Sequence, residues 1–260
     1  MTVTSTADLS RLATLPPLAK GAHKRDENVA CIMEAVAFVA GERWSDHPVC
    51  ACRVIGEFLR LWNDALPDSE RDALLRPLVP MMVGTRSTKA VERRRAMMAV
   101  DWLIREHTPA WLRLAGLTRQ ANALAGLPEI TDTAQCPLLM PMLDAVRKDA
   151  NAAWAAAGDV AWAAAGATAW DASGAAAGAA ARAAAGVAAG TTAWATAWAT
   201  AGTTAWATAG AAAGVAAWAA AGDAAGAAAR AAAGVALKPT TASLQQSALG
   251  LVHRMIGAAT

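Results

Sequence analysis

Residues 27–41 read ENVACIMEAVAFVAG, and their pattern sets the class of the fold. Val29, Ile32, Met33, Val36 and Val39 recur at helical spacing, with Asp26 placed to cap a helix over 27–40 and Gly41 to stop it. The same pattern continues outward. Pro48 opens a second helix with Val49, Cys52, Ile55, Leu59 and Trp62 on one face. Asp68 caps a short helix carrying Leu74, Leu75 and Leu78 that ends at Pro80. Thr88 caps a longer one through Val91, Met98 and Trp102 to Glu106, closed by Thr108-Pro109, and shorter helices follow at 110–115 and 118–125. No stretch alternates as a strand would. The expectation is a mainly α chain with a helical N-terminal domain.

Composition divides the chain. Residues 1–150 hold 19 Lys/Arg and 18 Asp/Glu, whereas 151–236 carry only Asp159, Asp171, Asp223, Arg182 and Arg230 among Ala, Gly, Thr and Trp. Ordinary composition returns after Lys238-Pro239. The reading is a flexible segment over 1–25, a globular helical domain over 26–150, a repeat region over 151–236, and an amphipathic helix over 237–260. In that helix, capped by Thr241 or Ser243, Leu244, Ala248, Leu251, Val252, Met255 and Ile256 form one stripe to be buried on the globular domain.

The repeat has two layers. From Trp154 to Gly234 every fourth residue is Gly, Trp or Arg, at 21 consecutive positions, and every third member of that series falls into a period of 12. In a straight α-helix a period of 4 drifts by about 40° per step, so no fixed partner could follow it far. Short helices packed on one another, with Trp filling the gaps that Ala leaves, answer that drift. The alternative is a solenoid of 12 residues per coil, which would stack the Trp/Arg column on one side. Against it stand Ala and Gly, which are poor strand formers. Disorder is the third reading.

Net charge is +2, so no overall basic field draws the chain to nucleic acid or a membrane surface. The repeat lacks Leu, Ile and Phe, which speaks against membrane insertion. No apolar signal-type run follows Met1 and four Cys are too few for a disulfide framework, so a cytoplasmic location is expected. Arg93-Arg94-Arg95 spread around a helix and read as a solvated face.

One cluster of soft ligands stands out, His47-Pro-Val-Cys50-Ala-Cys52, with Cys31 on the preceding helix. Thiolates and imidazole are zinc ligands, so Cys31, His47, Cys50 and Cys52 are the metal candidates, although the spacing is not that of a zinc finger. Buried small hydrophobes are the competing reading of the cysteines. A cysteine nucleophile with His47 or His107 as base would lack an orienting third group. Asp46 reads as an N-cap rather than an acid. No cofactor is otherwise indicated, and no phosphate loop of Walker or dinucleotide type occurs.

The block from Cys31 to Pro48, with Val83-Gly-Thr-Arg86, His107-Thr-Pro-Ala-Trp-Leu112 and Leu251-Val-His-Arg-Met-Ile256, resembles a group of uncharacterised bacterial proteins. These join a helical domain to an Ala/Trp/Arg-rich low-complexity tract, and the resemblance implies that architecture with no activity attached.

Two functional classes follow. A non-enzymatic binding or scaffold protein would use the repeat for self-association or contact with a protein partner. Trp194, Trp198 and Trp206 are its contact residues, since Ala and Gly neighbours offer little bulk to bury the rings. The alternative is a metalloprotein or enzyme centred on Cys31, His47, Cys50 and Cys52.

Overall fold

The computed structural model describes residues 7–156 and 226–258. They are mainly helical, with no strand among them. In chain order the helices are α1 (Leu9–Leu12), α2 (Ile32–Val39), α3 (Arg53–Ala65), α4 (Asp68–Leu75), α5 (Val79–Met82), α6 (Lys89–Trp102), α7 (Thr108–Leu114), α8 (Thr118–Ala125), α9 (Cys136–Ala156) and α10 (Gly226–Gly257). Short 3-10 turns and one π turn, Leu103–His107, join some of them. A single apolar core takes side chains from α2 to α10.

Helix α2 starts at Ile32, later than the sequence pattern suggests, because a stronger cap stands inside the expected helix. Cys31 is the N-cap: its sulfur accepts from the Glu34 N–H, and the Glu34 carboxylate accepts from the Cys31 N–H at 2.7 Å. This is a capping box with sulfur in place of the usual hydroxyl. Before it, Arg25–Glu27 form a 3-10 turn that Asn28 ends at φ +55°, and Ala30 bridges Leu18 in parallel. Gly41 ends the helix at φ +71°, a conformation that costs glycine nothing.

The segment expected to be flexible, 1–25, is packed on the core over residues 7–25. Leu15 and Leu18 are buried. Arg76 donates to the Leu15 and Pro16 carbonyls, Asn63 to the Ala19 carbonyl, and Asp64 accepts from the Gly21 N–H at 2.8 Å. Polar side chains of α3 and of Arg76, just past α4, thus lace down a segment with too few apolar residues to be recognised as core.

Thr88 caps α6 as expected, accepting from the Val91 N–H. Thr108-Pro109 does not close the helix. The chain widens into the π turn and continues as α7 with Pro109 in its first turn. Thr108 donates through its backbone N–H and its hydroxyl to the Leu103 carbonyl, so the widened turn accommodates a proline that would otherwise clash with the preceding turn. Cys136–Ala156, a long helix with Pro141 inside it, has no counterpart in the sequence reading. Its Cys136, Leu143, Val146 and Ala150 are buried.

Helix α10 crosses the position where Thr241 or Ser243 was expected to begin it, and runs through Pro239. Its first residues, 226–236, belong to the repeat. Leu237, Leu244, Ala248, Leu251, Val252 and Met255 are buried, and the helix packs against α3, α6 and α7. Other expectations for the repeat region, short packed helices or solenoid, fall on residues 157–225 and lie outside the described residues.

Polar groups fix the docked helix in register. Arg95, 1% exposed, donates from Nε to the Met255 carbonyl at 2.7 Å and from Nη1 to the Thr85 carbonyl at 2.6 Å. Met255 lies in the last turn of α10, where carbonyls have no partner within the helix and the macrodipole is negative. The arginine triplet is therefore not a uniformly solvated face: Arg93 and Arg94 are exposed, and Arg95 is core. Trp102 donates to Ser247 at 2.7 Å, and Ser247 donates to Glu106 at 2.6 Å, across the same interface. Arg95→Ala would leave both carbonyls without a partner in the core. We expect it to lower unfolding free energy by about 3 kcal/mol or more, read from the urea midpoint.

A line of rings passes through the centre. Phe58 meets Trp62 and Trp102 edge-on, Trp102 lies 5.1 Å from His107, and His107 lies 6.4 Å from Trp111. His107 is fully buried in the π turn, with Nε2 accepting from Trp111 at 3.3 Å and Nδ1 without a partner. Burial pushes its imidazole down to about 3, so it is neutral in the folded protein. Once unfolded, the ring takes a proton below about 6.5. The unfolded state therefore binds more protons and stability falls as pH falls. Between pH 6.5 and 5, above the ordinary carboxylate range, the expected slope approaches about 1.4 kcal/mol per pH unit. His107→Gln should flatten that part of the profile in denaturation measured across pH.

Candidate functional site

The loop between α2 and α3 carries three of the four metal candidates, and the structure gives each a separate task. Cys31 caps α2. Cys50 is buried at the end of the loop, where its N–H donates to Glu42 at 2.8 Å and its carbonyl accepts from the Arg86 N–H at 2.9 Å. Cys52 is the N-cap of α3, and its N–H donates to the Thr85 hydroxyl at 2.9 Å. His47 is exposed, with Nδ1 2.7 Å from Asp46 Oδ1. Asp46 thus holds the imidazole and does not cap a helix, because α3 begins only at Arg53. Among the described residues no group of three or more His, Cys, Asp or Glu side chains stands where it could hold a metal ion.

Cys31, Cys50 and Cys136 are also in the wrong state for a nucleophile or a ready ligand. Burial pushes Cys31 up to about 12, with the adjoining Glu34 carboxylate adding to it. Burial likewise raises Cys50 to about 11, helped by Glu42, and raises Cys136, helped by Asp132. Thiols raised in this way stay protonated at neutral pH.

Beside this loop lies a cavity of about 370 Å³. Met33, Pro48, Ala51, Cys52 and Gly56 supply its apolar surface, and His47, Arg53, Arg60 and Arg86 its basic groups, with Glu57 the lining carboxylate. The sequence points to His47 and Cys52 as ligands and to Arg86 only as part of the basic stretch around Arg93–Arg95, and does not single out Arg53 or Arg60. Arg53 and Arg60 stand two turns apart on α3, and the packing of α3 beside the loop that carries Arg86 brings the third to them. Arg60 donates to the Asp46 carbonyl at 2.9 Å and pairs with Glu57. Arg86 reaches the Val49 carbonyl at 3.5 Å and Glu92 at 3.9 Å. Arg53 makes no hydrogen bond or ion pair among the described residues.

Thr85 sets this geometry. Its hydroxyl donates to the Met82 carbonyl at 2.7 Å and accepts from Cys52, while its carbonyl accepts from Arg95. The start of α3, the end of α5 and the buried guanidinium of α6 therefore meet one residue before Arg86.

Comparison with protein-family models, curated proteins and solved structures gives no match for this chain.

The state of the thiols is directly measurable. Iodoacetamide at neutral pH should leave the native chain essentially unmodified, and in denaturant should label all four free cysteines, counted by mass. Rapid native labelling of Cys31 or Cys50 would show that these thiols are neither buried nor protonated as described.

Proposed function

We propose that this chain is a non-enzymatic binding or scaffold protein: a helical domain that holds an Ala/Gly/Trp tract at both ends and presents it to a partner. The observation that carries this reading is the pair of helices flanking the tract. Helix α9 ends at Ala156, inside the low-charge region, and α10 begins at Gly226, also inside it. Both insert apolar residues into the same core, Leu143, Val146 and Ala150 from one, Leu244, Leu251 and Met255 from the other. Two helices anchored in one core at the edges of the tract support reading it as an interaction element carried on a rigid platform.

The helical reading of the tract draws support from the helix in repeat residues at both of its described edges. The contact residues are Trp194, Trp198 and Trp206, which lie outside the described residues. Large rings among Ala, Gly and Thr need bulk from another surface, and Trp is the side chain most enriched at interface hot spots. The partner is a second copy or another protein. A cytoplasmic location suits four cysteines that are all free. Among the described residues no helix is long and apolar enough to cross a membrane. The metalloprotein or enzyme alternative draws less support, because Cys31 and Cys52 sit at separate helix starts, Cys50 is held by Glu42 and His47 pairs with Asp46.

Sedimentation of the full chain and of a Trp194→Ala, Trp198→Ala, Trp206→Ala variant tests the proposal. The expected result is an associating wild type and a monomeric variant whose thermal transition is unchanged. Monomers in both cases, with a lowered transition in the variant, would make the rings part of an intramolecular core and end the self-association reading.

A further inference from the structure

We propose that the cavity beside the α2–α3 loop binds the phosphate group of a small phosphorylated organic molecule. This is independent of the role given to the repeat. Three guanidinium groups line the cavity, from Arg53, Arg60 and Arg86, against the single lining carboxylate of Glu57. Glu57 is already paired with Arg60, whose other terminal nitrogen is held by the Asp46 carbonyl. Arg60 is thus a fixed wall, Arg53 carries the unspent charge, and Arg86 is held only loosely, by the Val49 carbonyl and the Glu92 carboxylate. Arg53 has no partner among the described residues. Arg86 has only contacts at the outer limit of range, at 3.5 Å and 3.9 Å. His47 is tied to Asp46 through Nδ1, which leaves Nε2 for a ligand.

The arrangement fits a dianion better than a monoanion. The free guanidinium of Arg53 and the loosely held one of Arg86 can each take two oxygens of one phosphate, whereas a lone carboxylate satisfies only one such fork. The first turn of α3, which begins at Arg53, adds the positive end of a helix to the same wall. The remaining surface is apolar, from Met33, Pro48 and Ala51, and is suited to the organic part of the ligand. At about 370 Å³ the space lies within the range of small-molecule sites, roughly 300–1,000 Å³.

Gly56 keeps the cavity in this form. A Cβ there would stand 3.2 Å from Met33 Cε and 3.9 Å from Arg60 Nη1, both of which line the space. A glycine inside a helix costs about 1 kcal/mol relative to alanine. Here it lets the apolar and the basic wall close on α3 together. The basic groups are gathered in a concavity and not spread as a stripe, which favours a compact phosphate monoester over a nucleic-acid backbone.

The test uses the full-length chain and phenyl phosphate, titrated calorimetrically at low ionic strength. Arg53→Ala with Arg86→Ala removes both forks, and Arg53→Ala alone, which should also weaken binding, leaves the Arg86–Glu92 pair in place. Arg93→Ala with Arg119→Ala removes the same charge elsewhere on the surface. The expected result is saturable binding by wild type, a loss of about tenfold or more in the first double variant, and little change in the second double variant. Benzoate, with the same ring and a single negative charge, should bind more weakly. The proposal is overturned if phenyl phosphate does not bind, if both double variants weaken it equally, or if benzoate binds as tightly. It is equally overturned if the first variant loses binding only to a single-stranded oligonucleotide. Unchanged circular dichroism of the first variant would separate loss of a site from loss of fold.

Discussion

The buried guanidinium of Arg95 is the contact on which the rest of this domain depends. One nitrogen binds a carbonyl in the last turn of α10, and another binds the Thr85 carbonyl. Thr85 in turn holds the first residue of the α3 cap and the end of α5. A single cation therefore fixes where the C-terminal helix stops, where α3 starts, and where the chain turns before Arg86. Carbonyl dipoles take the place of a carboxylate partner, and the C-terminal end of a helix is the strongest such dipole available.

Arg71 repeats the device. It is 2% exposed and donates from Nε to the Asn63 carbonyl and from Nη2 to the Leu66 carbonyl, at the end of α3, with Asp68 as its ion partner. Glu34 is the acidic counterpart: 2% exposed, it collects the Cys31 and His23 N–H groups at the start of α2. Buried charge in this domain is placed at helix ends, where the backbone leaves groups of the opposite sign unpaired. The loops beside those ends are held for the same reason, and one of them borders the cavity.

Much of the fold was legible because apolar spacing and caps are local signals. Thr88 and Gly41 mark real boundaries, and 118–125 is a helix as read. Failures came where a distant group decided. Cys31 outcompetes Asp26 as a cap because Glu34 returns the hydrogen bond. Pro109 does not stop its helix because a π turn makes room for it. Arg95 is core because α10 arrives to meet it, and nothing around it in the sequence says so. The site was legible only in part. His47 and Cys52 do line the cavity, but soft-ligand chemistry points to sulfur, whereas the guanidiniums of Arg53 and Arg86, more than thirty residues apart, supply its basic wall.

The docking of α10 has a consequence for how copies of this chain can relate to one another. The helix reaches the rest of the domain through residues 157–225, and what holds it there is noncovalent: an apolar stripe, Arg95, and the Trp102–Ser247–Glu106 relay. Every one of those contacts can be supplied equally well by an identical neighbour. A helix bound noncovalently by a surface common to all copies meets a condition for domain swapping. Exchange of α10 would join two chains without creating a new interface, and would leave each core as it is in the monomer.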